Sequence, residues 1–214
     1  MLWFLIPVIS LVGKVIYDVV TEEDVPTPQK KTILELNLGR LRQQLHTHAG
    51  KKIAILGQPG AGKSTLLKKI TNDEVIPKPV IGAQTDATNW SDDEKCNLLS
   101  HYKNHAFVDV PGYDTSSHPA NIFVSSFPFD KFDIFIFVIR GKLRAADETI
   151  FKLIANTGKA ICIARSYSDG LENDEFSAVE KDIKMRLSFH GLNPVIFFSN
   201  RTGIGIKNIN KFVY

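Results

Sequence analysis

The run Gly57-Gln58-Pro59-Gly60-Ala61-Gly62-Lys63-Ser64 constrains this chain more than any other segment of it. It satisfies G-x-x-x-x-G-K-[ST] at every fixed position. The run Lys52 to Leu56, apolar after its lysine, precedes it and reads as a buried strand, and Thr65 to Ile70 follow with the pattern of a helix. Glycines in such a loop let backbone N–H groups turn inward around an anion. The helix that begins at Lys63 adds the positive end of its dipole. Gly57, Gln58, Pro59, Gly60, Ala61, Gly62, Lys63, Ser64 and Thr65 are therefore the expected phosphate cradle. Lys63 would reach the β- and γ-phosphates and Ser64 would ligate Mg²⁺. The chain is expected to bind a nucleoside triphosphate.

What surrounds the loop alternates in kind. Strands are predicted over 52–56, 97–102, 105–110, 133–139, 160–164 and 194–199, and helices over 63–70, 118–126, 145–156, 174–189 and 206–213. Lys103-Asn104 leaves room only for a tight hairpin between the second and third strands. Asp133-Ile-Phe-Ile-Phe-Val-Ile139 is apolar almost throughout, as a strand covered on both faces should be. The expected fold is α/β: a three-layer domain over 51–214 with a mostly parallel six-stranded sheet and one antiparallel hairpin strand. Before it, leucines and isoleucines at 33, 34, 38, 41 and 45 recur at helical spacing within 29–48. That helix and the Pro26-Thr-Pro28 break form a linker over 21–50, its helix packed on the domain or on another copy.

The first twenty residues differ from the rest. Leu2 to Gly13 is apolar, and the run resumes from Val15 to Val20 after Lys14. Three readings stay open: a single membrane span, a helix lying in the interface, or a helix docked on the protein itself. Trp3 and Tyr17 suit interfacial anchoring. The expectation is an N-terminal hydrophobic helix over 1–20 that meets membrane lipid, with the nucleotide domain on the cytoplasmic side. Elsewhere the composition is that of a packed globular domain, 43% hydrophobic and 23% charged over 214 residues. A net charge of only +3 gives no argument for a nucleic-acid partner. Cys96 and Cys162 lie far apart, and the pairs His46/His48 and His101/His105 lack partners at metal-site spacing, so these read as surface or packing residues.

A second phosphate motif ends the third strand. Asp109-Val-Pro-Gly112 fits D-x-x-G, in which a carboxylate serves Mg²⁺, a cation that prefers hard oxygen ligands. Gly112 leaves space for its backbone N–H to approach the γ-phosphate. With both motifs in place, the chain resembles the translation-factor-like P-loop GTPases, and within them the Era-like and immunity-related GTPases. Asp109 to Thr115, Phe127-Pro128 and Phe132 to Phe137 carry the immunity-related likeness. The resemblance implies a switch threonine, for which Thr85 and Thr88 compete. Thr88 is favoured because it lies nearer the hairpin. It would ligate Mg²⁺ beside Ser64 and Asp109, and with Lys63 serve catalysis.

The resemblance also implies a guanine motif, and here the chain departs from pattern. Arg165-Ser166-Tyr167-Ser168-Asp169 matches R-[TS]-K-x-D at Ser166 and Asp169, with Tyr167 in the lysine position. A carboxylate at 169 can accept from both guanine N1–H and the 2-amino group. Tyr167 can cover a base but supplies no charge. Ser199-Asn200-Arg201-Thr202-Gly203 is similar to the family's last loop, where the Asn200 backbone would meet the guanine carbonyl. GTP or GDP with Mg²⁺ is the implied ligand set. Tyr113 stands where a water-orienting glutamine would follow D-x-x-G. Gln58 and Gln84 have no attacking geometry legible in sequence, and Arg140, Arg144 and Arg165 read as surface or packing residues. Slow hydrolysis is expected, raised by a homodimer through the nucleotide domain or the helix 29–48. An ATP-using P-loop enzyme and a nucleotide-binding module without turnover are the alternatives.

Overall fold

The computed structural model describes residues 30–82, 88–188 and 194–214. The chain divides between Lys31 and Thr32, and one compact unit runs from Thr32 to Tyr214. The hydrophobic head expected over 1–20 lies outside the described residues. So do Thr85 and Gln84.

The unit opens with helix α1 (Ile33–Thr47), where Thr32 and Glu35 form a reciprocal capping box. Strand β1 (Lys51–Gly57) then leads into α2 (Lys63–Ile70). The hairpin strands β2 (Ser100–Tyr102) and β3 (His105–Asp109) follow, then α3 (Ala120–Ser126), β4 (Ile134–Ile139) and α4 (Ala145–Asn156). The chain closes with β5 (Ala160–Arg165), α5 (Glu175–Arg186), β6 (Val195–Phe197) and α6 (Ile206–Val213). The six strands lie in the order β2-β3-β1-β4-β5-β6, all parallel except the β2–β3 pair. The expected fold class is the observed one.

Among the elements that are shorter than their sequence patterns, three have a visible cause. Strand pairing begins at Ser100 rather than 97, because Leu98 turns into the core and the Cys96 carbonyl is taken by the Arg40 guanidinium. β6 stops at Phe197. Beyond it Ser199 N–H donates to the Ile204 carbonyl at 3.0 Å, closing a loop instead of extending the sheet. α3 starts at Ala120 because Pro119 takes the N-cap.

Alternation along the strands builds two cores. Ala54 and Leu56 of β1, Phe135, Phe137 and Ile139 of β4, and Ile161 and Ile163 of β5 face one layer, where α1, α3, α4 and α5 pack. Ile53, Ile55, Ile134, Ile136, Val138, Cys162 and Ala164 face the other, covered by α2 and α6. Cys162 is a core residue whose thiol burial pushes up to about 12. Of the two placements open for α1, packing on the domain is the one observed: Leu34, Leu38, Leu41 and Leu45 all sit in the first core. Asn37, 1% exposed, donates its side-chain amide to the carbonyls of Trp90 and Asp93, at 2.7 and 2.9 Å.

The sheet order reverses direction at β1, whose neighbours are β3 and β4. In open parallel sheets ligands bind outside the carboxyl ends of the strands at such a point. The loops after β1, β3, β4, β5 and β6 all leave from that edge. Leu41 is fully buried, so Leu41→Ala should destabilise the domain by about 2–5 kcal/mol in urea unfolding. A loss below 1 kcal/mol would mean that α1 is dispensable to the core.

Candidate nucleotide-binding site

The phosphate loop leaves β1 and returns into α2 with Gly60 and Gly62 at φ +68° and +89°, a region open to glycine at little cost. At Gly62 the space is closed as well: a Cβ would meet the Asn200 amide nitrogen at 2.5 Å. Lys63, largely buried, extends its ammonium over the loop and donates to the carbonyls of Gly57 and Gln58, both at 3.0 Å. Gly112 lies against the loop from the other side; a Cβ there would strike Pro59 N at 2.6 Å. Only glycine lets the two phosphate motifs come so close. Between them opens a cavity of about 470 Å³ lined by Gly60, Gly62, Lys63, Ser64, Thr65, Thr88, Gly112, Arg140 and Tyr167.

Asp109 collects three loops at one carboxylate. Its Oδ2 accepts the Ser64 hydroxyl at 2.6 Å and the Thr88 hydroxyl at 3.1 Å. The residue as a whole is partly exposed at the strand end, yet Oδ1 is shielded from solvent and has no hydrogen-bond partner. Burial raises the Asp109 carboxyl above the usual carboxylate range, opposed by the charge of Lys63 and by the two hydroxyls. An all-oxygen donor set with one orphaned carboxylate oxygen fits Mg²⁺. Ser64, Asp109 and Thr88 are the residues that would hold it, and its charge would be shared with the phosphate oxygens.

A second cavity, about 460 Å³, shares Gly62, Thr65 and Tyr167 with the first and is completed by Ser166, Asp169, Ser199, Asn200 and Arg201. Of these, Ser166, Asp169, Ser199 and Asn200 are the residues expected to meet the base. The Asp169 carboxyl is held below the usual range by the Ser199 hydroxyl and by Arg201, whose guanidinium lies 2.6 Å from Oδ2. Arg201 is 79% exposed at its side chain, so this pair is open to water and to displacement. Ser166 turns its hydroxyl to the Ile139 carbonyl at 3.1 Å, joining β5 to β4. Asn200 donates its side-chain amide to the Gly62 carbonyl at 3.0 Å and so braces the phosphate loop.

The two groups with a bearing on hydrolysis point away from the phosphate cavity. Gln58 donates to the Lys142 carbonyl at 3.1 Å and to Asp147 Oδ2. Tyr113, 1% exposed, donates its hydroxyl to Asp147 Oδ1 at 2.7 Å. Asp147 is itself buried and also accepts the Arg144 N–H at 2.7 Å, at the first turn of α4. Burial, followed by the Asp147 charge, pushes the Tyr113 phenol well above its ordinary value. Asp147 had no motif to mark it, because its role comes from where α4 begins in space.

The sequence profile of the family described as "50S ribosome-binding GTPase" matches residues 52–166, more than half of the chain. The chain belongs to this GTPase family. GTPase Der of Lactococcus lactis subsp. cremoris is 27% identical over 173 residues, which cover 75% of this chain and 37% of that protein. GTPase Der of Caldicellulosiruptor saccharolyticus is 29% identical over 175 residues, covering 76% and 38%. The chain thus spans little more than a third of the length of these relatives. Its fold is that of Aquifex aeolicus Era bound to GDP and tetrafluoroaluminate, with a TM-score of 0.54, 19% identity, and 76% and 55% of the two chains covered. SelB of Methanococcus maripaludis in complex with the GTP analogue GppNHp gives 0.53 at 21% identity, over 77% and 33%.

GTP or GDP with Mg²⁺ is accordingly the ligand set of this GTPase domain. Sequence reading places Arg140 among the surface or packing residues; it is exposed, and it also lines the phosphate cavity. No spacing rule marks it, since its position depends on which strand lies beside β1.

The Asp109 shift gives a pH signature. Its carboxyl holds a proton better in the fold than in the unfolded chain, so its stabilising contribution is present at acid pH and is lost as pH rises through the folded value. Asp109→Asn should therefore melt higher than wild type at neutral pH without ligand, with the gain shrinking as pH falls through the folded value and gone below about pH 4. The same variant should lose Mg²⁺-dependent GTP binding. Thermal melts in chelator across that range, with calorimetry in Mg²⁺, check both.

Proposed function

We propose that this chain is a nucleotide-dependent switch that binds GTP at the joined cavities and hydrolyses it slowly to GDP and phosphate. The observation that carries the reading is the meeting of Ser64 and Thr88 on Asp109. A hydroxyl from the phosphate loop and one from the segment before the hairpin converge on the carboxylate that ends β3. Lys63, Ser64 and the loop backbone take the phosphates, Gly112 approaches the γ-phosphate, and Asp169 with Ser199 and Asn200 takes the base. Thr88 is the switch threonine in this reading: its hydroxyl would hold Mg²⁺ together with Ser64 and Asp109 when a triphosphate is bound, and would be freed on hydrolysis.

Slow turnover is supported by the side chains facing the cavity. Tyr113 and Gln58 are both committed to Asp147, and the described residues lining the phosphate cavity include no amide, imidazole or carboxylate that could orient water. A site short of one positioning group gains rate when a partner supplies it. Self-association through the nucleotide domain or α1 is proposed on that ground. Membrane attachment through residues 1–20 rests on their apolar sequence; among the described residues no helix is long and apolar enough to cross a membrane.

Calorimetry with GTP, GDP and ATP tests the ligand. Lys63→Ala should weaken GTP binding by at least about tenfold in a folded protein, from the loss of a charge-assisted contact of about 1.5–3 kcal/mol. Asp169→Asn exchanges an acceptor for a donor facing guanine and should favour xanthine nucleotides. Wild type that binds ATP as tightly as GTP would remove Asp169 from the base site. For the switch itself, specific activity should rise with protein concentration or on liposomes, and the full chain should float with liposomes while a chain starting at Gln29 should not. Fast turnover independent of concentration would place the missing group within one chain, and a full chain that ignores lipid would remove the anchor.

A further inference from the structure

Tyr167 stands at the junction of the two cavities and is one of the residues common to both walls. Its backbone is left-handed at φ +56°, a strained conformation for a bulky residue and of the kind held at functional sites. Its side chain is not buried in compensation; the residue is 50% exposed. What holds the ring is Arg140, whose guanidinium carbon lies 4.3 Å from the ring centroid. Arg140 leaves the end of β4 one residue beyond Ile139, and Ile139 pairs with Arg165 of β5, so adjacent strands deliver the two side chains to one place. The same guanidinium donates through Nη1 to the Gly60 carbonyl at 3.3 Å, at the tip of the phosphate loop.

We infer that Arg140 and Tyr167 form a nucleotide clamp in which Arg140 supplies a second positive charge to the phosphates and Tyr167 positions it while covering the nucleoside. Among the described residues, Arg140 and Lys63 are the two cationic ones of the phosphate cavity wall. Lys63 serves the loop from within, through Gly57 and Gln58. Arg140 reaches the loop tip from outside, and a guanidinium has five N–H donors in a rigid fork, of which the Gly60 carbonyl engages one nitrogen. A flat cation held on an aromatic face loses little further freedom when a phosphate oxygen arrives. The pair therefore divides between two residues what a tyrosine alone cannot do, since its phenol offers a surface and no charge. This inference deepens the guanine-nucleotide reading and rests on it.

The test uses the full chain and fluorescently labelled GTP, GDP and GMP, with equilibrium affinities and dissociation rates for wild type, Arg140→Ala, Arg140→Lys, Tyr167→Phe, Tyr167→Leu and the Arg140→Ala/Tyr167→Leu double variant. Arg140 is exposed, so its replacement should leave the melting temperature near that of wild type. The clamp predicts that Arg140→Ala weakens GTP binding by roughly tenfold or more, the size of a lost charge-assisted contact. The loss should shrink from GTP to GDP to GMP as phosphates are removed, and the salt dependence of GTP affinity should become shallower. Tyr167→Phe should keep affinity and Tyr167→Leu lose it, with the double variant weaker than Tyr167→Leu by much less than tenfold, because the two residues act as one. Arg140→Lys should fall between wild type and Arg140→Ala. Unchanged GTP affinity and dissociation rate in Arg140→Ala, in a wild type that binds GTP and loses it on Lys63→Ala, overturns the clamp and leaves the site standing. Losses in Arg140→Ala and Tyr167→Leu that simply add, or a loss equal for GTP and GMP, also overturn it. A wild type that binds no guanine nucleotide would instead bring down the reading beneath it.

Discussion

The structure turns on the carboxylate of Asp109. It ends a central strand, where burial makes a charge costly, and two hydroxyls and the nearby Lys63 ammonium offset that cost in part. Removing water from a carboxylate without partners is expensive, so the fold must bring Ser64 and Thr88 to it. Ser64 arrives on the first turn of α2, and Thr88 arrives on the segment that precedes the hairpin. One acidic group thus fixes the mutual positions of the phosphate loop, the end of β3 and a distant stretch of chain. The unpartnered oxygen that remains is the feature that suits the site to a hard cation.

A second buried acid works differently. Asp147 sits at the start of α4 and satisfies its oxygens with Gln58, Tyr113 and the Arg144 backbone. A fully bonded polar network of this kind rigidifies the elements that contribute to it. The phosphate loop, the turn after Gly112 and α4 are tied together by it. The same ties draw an amide and a phenol away from the phosphate cavity, so a local gain in order comes at the expense of groups that could orient water. Structural order and chemical reactivity compete here for the same side chains.

Around this centre the backbone after Thr88 is held on two sides. The Trp90 N–H donates to His118 Nε2 at 3.1 Å, and the Ser91 hydroxyl donates to the Ser117 carbonyl. From α1, Asn37 binds the carbonyls of Trp90 and Asp93. Asn37 is as buried as the leucines around it, and a buried amide persists only where its hydrogen bonds are met. Helix α1 is therefore both a wall of the hydrophobic core and a direct contact of the segment that carries Thr88. The stretch closest to the Thr88 hydroxyl is thereby joined to the domain's first helix.

Sequence alone determined the features whose physics is local. The phosphate loop was legible because glycines, lysine and serine must fall at fixed offsets for one turn to surround a phosphate. The sheet and most helix limits followed from hydrophobic periodicity, down to α2, α4 and α6, whose bounds coincide with their patterns. Asp109 and Asp169 were legible because each ends or follows a strand in a motif that places a carboxylate there. Tertiary structure decided whatever depended on neighbours across the sheet. It set α1 on the domain, turned Gln58 and Tyr113 onto Asp147, gave the Asn200 side chain to Gly62, and laid Arg140 against Tyr167. These contacts join residues separated by tens of positions in sequence, and no spacing rule reports them. They follow from the order in which the strands pair, which a one-dimensional pattern leaves open.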